Sequence, residues 1–188
     1  GFAVNDAYDD VGRLARLYQD GGTTIVAYAY DAVGQLARKE LGNGVYTTYA
    51  YDASGELLHL VNYTGADAVL SRFDYTYDAA GHVATMTTVD GLWTYQYDVG
   101  GELTHAAFAS TNSAVPSQDL IYVYDAMGNR IRTIENGATT EYRTNNLNQY
   151  TQAGATAYAY DADGNLIRTT GSGGTWNYTY DSQNRLVG

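Results

Sequence analysis

The sequence predicts an all-β protein built as a repetitive antiparallel meander of β-hairpins. Three observations carry that expectation. A Tyr-x-Tyr-Asp-x-x-Gly phrase recurs along the chain, tyrosine and β-branched residues supply most of the apolar content, and a second series of Gly-containing turns lies between the copies. Hydrophobic residues make up 45% of the 188, too many for a disordered chain, and charged residues only 16%. Twenty tyrosines with 21 glycines and one proline suit a pleated, half-buried surface.

The repeat is aligned on the tyrosine before the aspartate: Tyr8, Tyr30, Tyr51, Tyr77, Tyr97, Tyr124, Tyr160 and Tyr180, with Thr144 standing in for the seventh anchor. Nine repeats are thus spaced by 22, 21, 26, 20, 27, 20, 16 and 20 residues. Two residues earlier stands a second tyrosine column: Tyr28, Tyr49, Tyr75, Tyr95, Tyr122, Tyr142, Tyr158 and Tyr178, with Asp6 in the first repeat. A Tyr-x-Tyr spacing has the period of a strand, so both rings leave one face, and cross-strand ladders of rings are expected.

The next four residues read as a turn. Asp31, Asp52, Asp78, Asp98, Asp125 and Asp161 open it, with Asp9, Asn145 and Asp181 at the same rank. The carboxylate is expected to accept backbone amides two and three residues on. Gly34, Gly55, Gly81, Gly101, Gly128 and Gly164 close it, with Gly12 in the first repeat. The two exceptions, Asn148 and Asn184, are of the non-Gly type that best tolerates positive φ. A type I turn followed by a left-handed residue makes a three-residue hairpin loop with a bulge. A second strand follows, usually aliphatic six residues after the anchor: Leu14, Leu36, Leu57, Val83, Leu103, Leu166 and Leu186. Return turns are read at 20–22, 42–44, 90–91, 136–137 and 171–174. The sum is up to about eighteen strands and no convincing helix. The segment 109–119, with Pro116, reads as a surface loop, and no domain boundary is visible, so residues 1–188 are taken as one array.

Charge and composition exclude several classes. A net charge of −11, with one Lys and nine scattered Arg, leaves no basic patch for nucleic acid. With no Cys there are no disulfides and no thiolate metal sites. No apolar run approaches the roughly 20 residues of a membrane span. The opening stretch carries no signal-peptide pattern, and the chain opens and closes inside repeats, as expected of a fragment of a longer protein.

"YAYDAVGQL", "YVYDAMGNR" and "YAYDADGNL" resemble the YD repeats of rearrangement-hotspot (Rhs) proteins, found also in bacterial wall-associated and toxin-complex proteins and in teneurins. The resemblance covers essentially the whole chain. It implies a segment of a spiral β-sheet shell, enclosing a C-terminal toxin domain in bacterial members and part of an adhesion protein in teneurins. It implies a secreted or cell-surface location within a larger bacterial protein. The Asp-Pro-x-Gly signature at which bacterial shells cleave themselves is absent, so that activity carries over to no residue, and the length is far short of a closed cocoon.

Catalysis finds little support. Eight Asp in eight similar turns offer no contrast of environments for acid and base roles. Glu56 with His59, and Glu102 with His105, share a metal-binding spacing on a helix, but on a strand they point to opposite faces. Tyr18, Tyr46, Tyr63, Tyr150, Trp93 and Trp176 fall outside the columns and are candidates for individual contacts. The expectation is a non-enzymatic scaffold without cofactor or metal. Its partners are further YD repeats, other copies of itself through open strand edges, or an enclosed toxin domain. A carbohydrate-binding or adhesion module, with a glycan as partner, is the alternative.

Overall fold

The computed structural model describes residues 3–188; Gly1 and Phe2, the start of the expected 1–188 array, lie outside them. Every named element is a β-strand, and seventeen are present. The chain forms two compact units: residues up to Tyr95 with Phe108–Ser117, and Gln96–Ala107 with Gln118–Gly188.

In the first unit, consecutive strands pair antiparallel. They are β1 (Val4–Tyr8), β2 (Leu14–Gln19), β3 (Thr24–Tyr30), β4 (Leu36–Leu41), β5 (Tyr46–Tyr51), β6 (Leu57–Tyr63), β7 (Val69–Tyr77), β8 (Val83–Thr88) and β9 (Gly91–Tyr97). β9 and β10 (Leu103–Ser110) contribute residues to both units. In the second unit the same meander runs through β11 (Gln118–Tyr124), β12 (Arg130–Glu135), β13 (Ala138–Thr144), β14 (Tyr150–Ala153), β15 (Thr156–Tyr160), β16 (Leu166–Gly171) and β17 (Gly174–Asn177). The last repeat closes with a single bridge between Tyr180 and Leu186, which accounts for seventeen strands against the eighteen expected.

Register locks each hairpin to its turn. The pairing passes from Ala29 opposite Arg38 to Tyr30 opposite Leu36, skipping one residue at the turn. The same shift recurs between Ala50 and Tyr51, Thr76 and Tyr77, Val123 and Tyr124, Arg143 and Thr144, and Ala159 and Tyr160. A bulge at each of these turns adds local twist. The return turns match the Gly-rich stretches read from sequence, with two additions: residues 64–68 turn on Asp67, which takes φ 61°, and residues 153–156 turn on Gly154, which takes φ 56°.

Within each unit the strands form one layer, and little is fully buried. Among the described residues the buried side chains are Val26, Tyr46, Ala106, Phe108 and Thr133. The chain exposes 11888 Å², where a compact monomer of its mass exposes roughly 8,800 Å². Stability therefore comes from half-buried rows and from bonds between neighbouring hairpins, and these concentrate on the edge that carries the Asp-x-x-Gly turns.

Candidate functional site

The turn at Asp31 shows the shared construction. The Asp31 amide donates to the Gln35 carbonyl at 2.9 Å and the Gly34 amide to the Asp31 carbonyl at 3.2 Å. Oδ1 of Asp31 accepts from the amides of Val33 at 3.0 Å and Gln35 at 2.8 Å. The carboxylate thus takes the amides two and four residues on, where the sequence reading expected two and three. The third amide is already committed to the Asp carbonyl, and the left-handed residue swings the fourth back toward the side chain. The arrangement repeats at Asp52, Asp78, Asp98, Asp125 and Asp161. The closing glycines have φ between 80° and 94°, and Asn148 and Asn184 take 58° in the same place.

These bonds set the electrostatics of the edge. The His82 amide holds the Asp78 carboxyl below its ordinary value, the Asn129 amide does so for Asp125, and the Asn165 side chain for Asp161. Carboxylates so engaged are poor proton acceptors. Two neighbours go the other way. Partial burial, reinforced by the negative charge of Asp52, raises Glu56, and burial with Asp98 raises Glu102.

In three repeats the residue five after the anchor reaches from its own turn to the next one. Asn129 Nδ2 donates to Asp125 and, at 3.1 Å, to Asn148 Oδ1. Asn165 does the same between Asp161 and Asn184, at 2.9 Å. Gln149 Nε2 reaches the Gly164 carbonyl at 3.2 Å. The two turns that close with Asn in place of Gly are thus the two that receive an Asn from the repeat before. That coincidence stands in the aligned sequence and was the signal available for it.

The tyrosine columns carry a second link that their spacing does not show. All fourteen ladder tyrosines, Tyr28, Tyr30, Tyr49, Tyr51, Tyr75, Tyr77, Tyr95, Tyr97, Tyr122, Tyr124, Tyr158, Tyr160, Tyr178 and Tyr180, are half-buried. The anchor hydroxyls donate to the carbonyl six residues after the previous anchor. Tyr30 bonds Leu14 at 2.9 Å, Tyr51 Leu36 at 3.1 Å, Tyr77 Leu57 at 2.8 Å and Tyr124 Leu103 at 3.0 Å. Tyr160 bonds Tyr150 at 3.0 Å and Tyr180 Leu166 at 3.1 Å. Rings outside the columns cluster elsewhere. Tyr46 stacks on Tyr63 at 4.7 Å, lies under the Arg38 guanidinium, and donates to Asp67 at 2.7 Å. Trp93 stacks on Phe108 at 5.0 Å, and Trp176 is exposed.

Open grooves separate successive turns. One of about 750 Å³ in the second unit is lined by Asp98, Glu102, Tyr122, Tyr124, Asp125 and Gly128. Glu and His of the Glu-x-x-His echoes go to different partners: His59 pairs with Asp74 and His105 with Asp119, both at 2.6 Å, while each glutamate stays at its turn. Among the described residues no group of three or more His, Cys, Asp or Glu is placed to hold a metal ion. Among the described residues no helix is long and apolar enough to cross a membrane.

Comparison with known proteins agrees with this geometry. The RHS Repeat family model matches residues 30–68 and 160–188. No curated protein gives a significant match. Among solved structures, the chain is similar to the Tc holotoxin pore of Photorhabdus luminescens, with TM-score 0.69 and 21% identity over 99% of this chain. It is also similar to TcdB2-TccC3 without its hypervariable C-terminal region, with TM-score 0.69, and to the TcdB2-TccC3-Cdc42 structure, with TM-score 0.70, each at 21% identity over 100% of this chain. The chain spans 12% of the length of each of these solved chains.

Proposed function

For a chain that belongs to the Rhs/YD-repeat family, we propose a non-enzymatic scaffolding role: it forms part of a β-shell that encloses or displays a C-terminal toxin domain in a larger secreted or surface protein. The observation that carries the reading is the engagement of the patterned polar groups inside the array. Each turn aspartate of the block Asp31 to Asp161 accepts two backbone amides, and six anchor tyrosines donate to the preceding repeat. Groups engaged in this way stabilise backbone geometry, and turn carboxyls held below their ordinary value are poor proton acceptors. The likeness to Tc structures supports the shell, and the toxin-complex names of those structures support a toxin as its cargo.

The test has two arms. Asp78→Ala and Asp161→Ala are expected to lower melting temperature while the purified protein stays inactive on ester, glycoside and peptide substrates. In the full-length gene product, the domain following the array is expected to resist protease until the array is unfolded. Turnover abolished by Asp78→Ala in a protein that still folds, or a cargo domain digested at the same rate with and without the array, would overturn the reading. The exposed Trp176 favours a glycan contact as the second reading, and a glycan array with Trp176→Ala as control decides it.

A further inference from the structure

Asn-Gly occurs twice in the chain, at 43–44 and at 136–137, each time in a return turn. An asparagine before glycine is open to attack on its own side chain, because glycine leaves its nitrogen unshielded and its backbone free to bend. Both asparagines are exposed, so access to water does not separate them. Their hydrogen bonds do.

Asn136 is drawn away from Gly137. It takes φ 52°, its Oδ1 accepts the Asp119 amide at 2.8 Å, and its own amide donates to the Asp119 carbonyl at 2.8 Å. Two bonds thus tie its side chain and backbone to the neighbouring strand β11. Asn43 bonds within its own turn. Its Oδ1 accepts the Val45 amide at 3.1 Å, two residues on, so the side-chain carbonyl is drawn over the intervening Gly44. The same amide polarises that carbonyl and can stabilise the negative oxygen formed on attack. The Gly44 amide donates to the Leu41 carbonyl at 2.9 Å, a single bond in an exposed turn.

We propose that Asn43 is a spontaneous modification site, converted by water to aspartate and isoaspartate in the folded chain while Asn136 is spared. The Gly44 nitrogen gives its proton to solvent hydroxide and bonds to Asn43 Cγ. The Cγ–Nδ2 bond breaks, the leaving nitrogen takes a proton from water and departs as ammonia, and a succinimide ring closes. Water then opens the ring. Cleavage between Cγ and the nitrogen gives aspartate, and cleavage between the nitrogen and the backbone carbonyl carbon leaves isoaspartate, with the chain running through Cγ. Aspartate adds a negative charge to the turn. Isoaspartate lengthens the backbone where there is little slack. A Cβ on Gly42 would stand 2.2 Å from the Thr24 carbonyl oxygen, and one on Gly44 3.5 Å from the Gly65 Cα in the next return turn. The isoaspartyl form is therefore expected to lose the bond from the Gly42 amide to the Ile25 carbonyl and to melt at a lower temperature.

Incubating the purified 188-residue chain at mildly alkaline pH, with peptide mapping by mass and enzymatic methylation of isoaspartate, tests it. Reaction at Asn136 breaks two hydrogen bonds and reaction at Asn43 breaks one, and each bond is worth about fivefold in an equilibrium constant, so Asn43 is expected to convert at least about fivefold faster. In urea neither turn persists and glycine follows both asparagines, so the two rates are expected to converge. Asn43→Gln is expected to remove the fast phase of ammonia release, and Asn136→Gln to leave it. Circular dichroism checks that both variants keep their strands. Equal rates in the folded chain, faster conversion at Asn136, or a preference for Asn43 that persists unchanged in urea would overturn the proposal.

Discussion

Replacing Tyr77 by phenylalanine removes one hydroxyl and leaves the ring. That hydroxyl donates to the Leu57 carbonyl at 2.8 Å and joins the fourth repeat to the third. A neutral hydrogen bond contributes about 1 kcal/mol net, and a carbonyl left half-exposed regains part of its loss from water, so the expected cost is about 1 kcal/mol. In a chain of this size that is a fall of roughly 2–4 °C in melting temperature, or about 0.5 M in urea midpoint. Tyr75→Phe is the matched control. Tyr75 is half-buried on the same strand, but its hydroxyl has no acceptor among the described residues, so its loss is expected to change stability little. Urea melts of the two variants give the difference, and amide exchange of β6 and β7 localises it. Equal effects for Tyr75→Phe and Tyr77→Phe would refute the idea that the anchor column is selected for its hydroxyl.

Glycine substitutions separate strain from space. At Gly91 an added Cβ would stand 2.2 Å from the Ala109 carbonyl oxygen and under 3 Å from the Phe108 ring, so Gly91→Ala is expected to cost about 3 kcal/mol. Gly12 has φ 83° but open surroundings, so Gly12→Ala should cost only about 1 kcal/mol, read from the same melts. Glu56 and Glu102 are raised by burial and by Asp52 or Asp98, so the folded state favours their protonated form. Their contribution is present below the ordinary glutamate value of 4.5 and is lost as pH rises through the raised value. Glu56→Gln with Glu102→Gln should therefore raise the melting temperature at neutral pH, with the gain vanishing below pH 4.5. Asp78, Asp125 and Asp161 have the opposite sign, so their contribution is lost as pH falls below the ordinary 3.8, and Asp161→Asn should flatten the acid limb of the stability profile.

The sequence made the fold legible because strand period and turn chemistry are local. Tyr28-x-Tyr30 fixes a face, and a left-handed position needs Gly or Asn, so the hairpins follow from residues within a few places of each other. The turn at Asp67 was missed because its left-handed residue is neither Gly nor Asn. The links across repeats were missed for a different reason. Tyr30 and Leu14 are sixteen residues apart, and a carbonyl acceptor leaves no mark on its own side chain. Asn165 with Asn184 was readable only by comparing one repeat with the next, since either residue alone is an ordinary turn asparagine.

The composition then acquires a physical reason. A single layer of hairpins cannot bury its faces as two packed layers do, so large aliphatic residues on it would meet water on one side. Only four hydrophobic residues are buried among those described. Phenylalanine would cover the half-buried face as well as tyrosine, yet the chain has three Phe against twenty Tyr. The hydroxyl is what differs, and in six anchors it spans to the preceding repeat. At about 1 kcal/mol each, those six bonds amount to about 6 kcal/mol, on the scale of the whole folding stability of an ordinary domain. In an array whose repeats touch only their neighbours, stability is a sum of such junctions, and each can be formed without any distant contact. The anchor tyrosine thus serves as core and crosslink together, which lets a sheet one layer thick persist without an interior of its own.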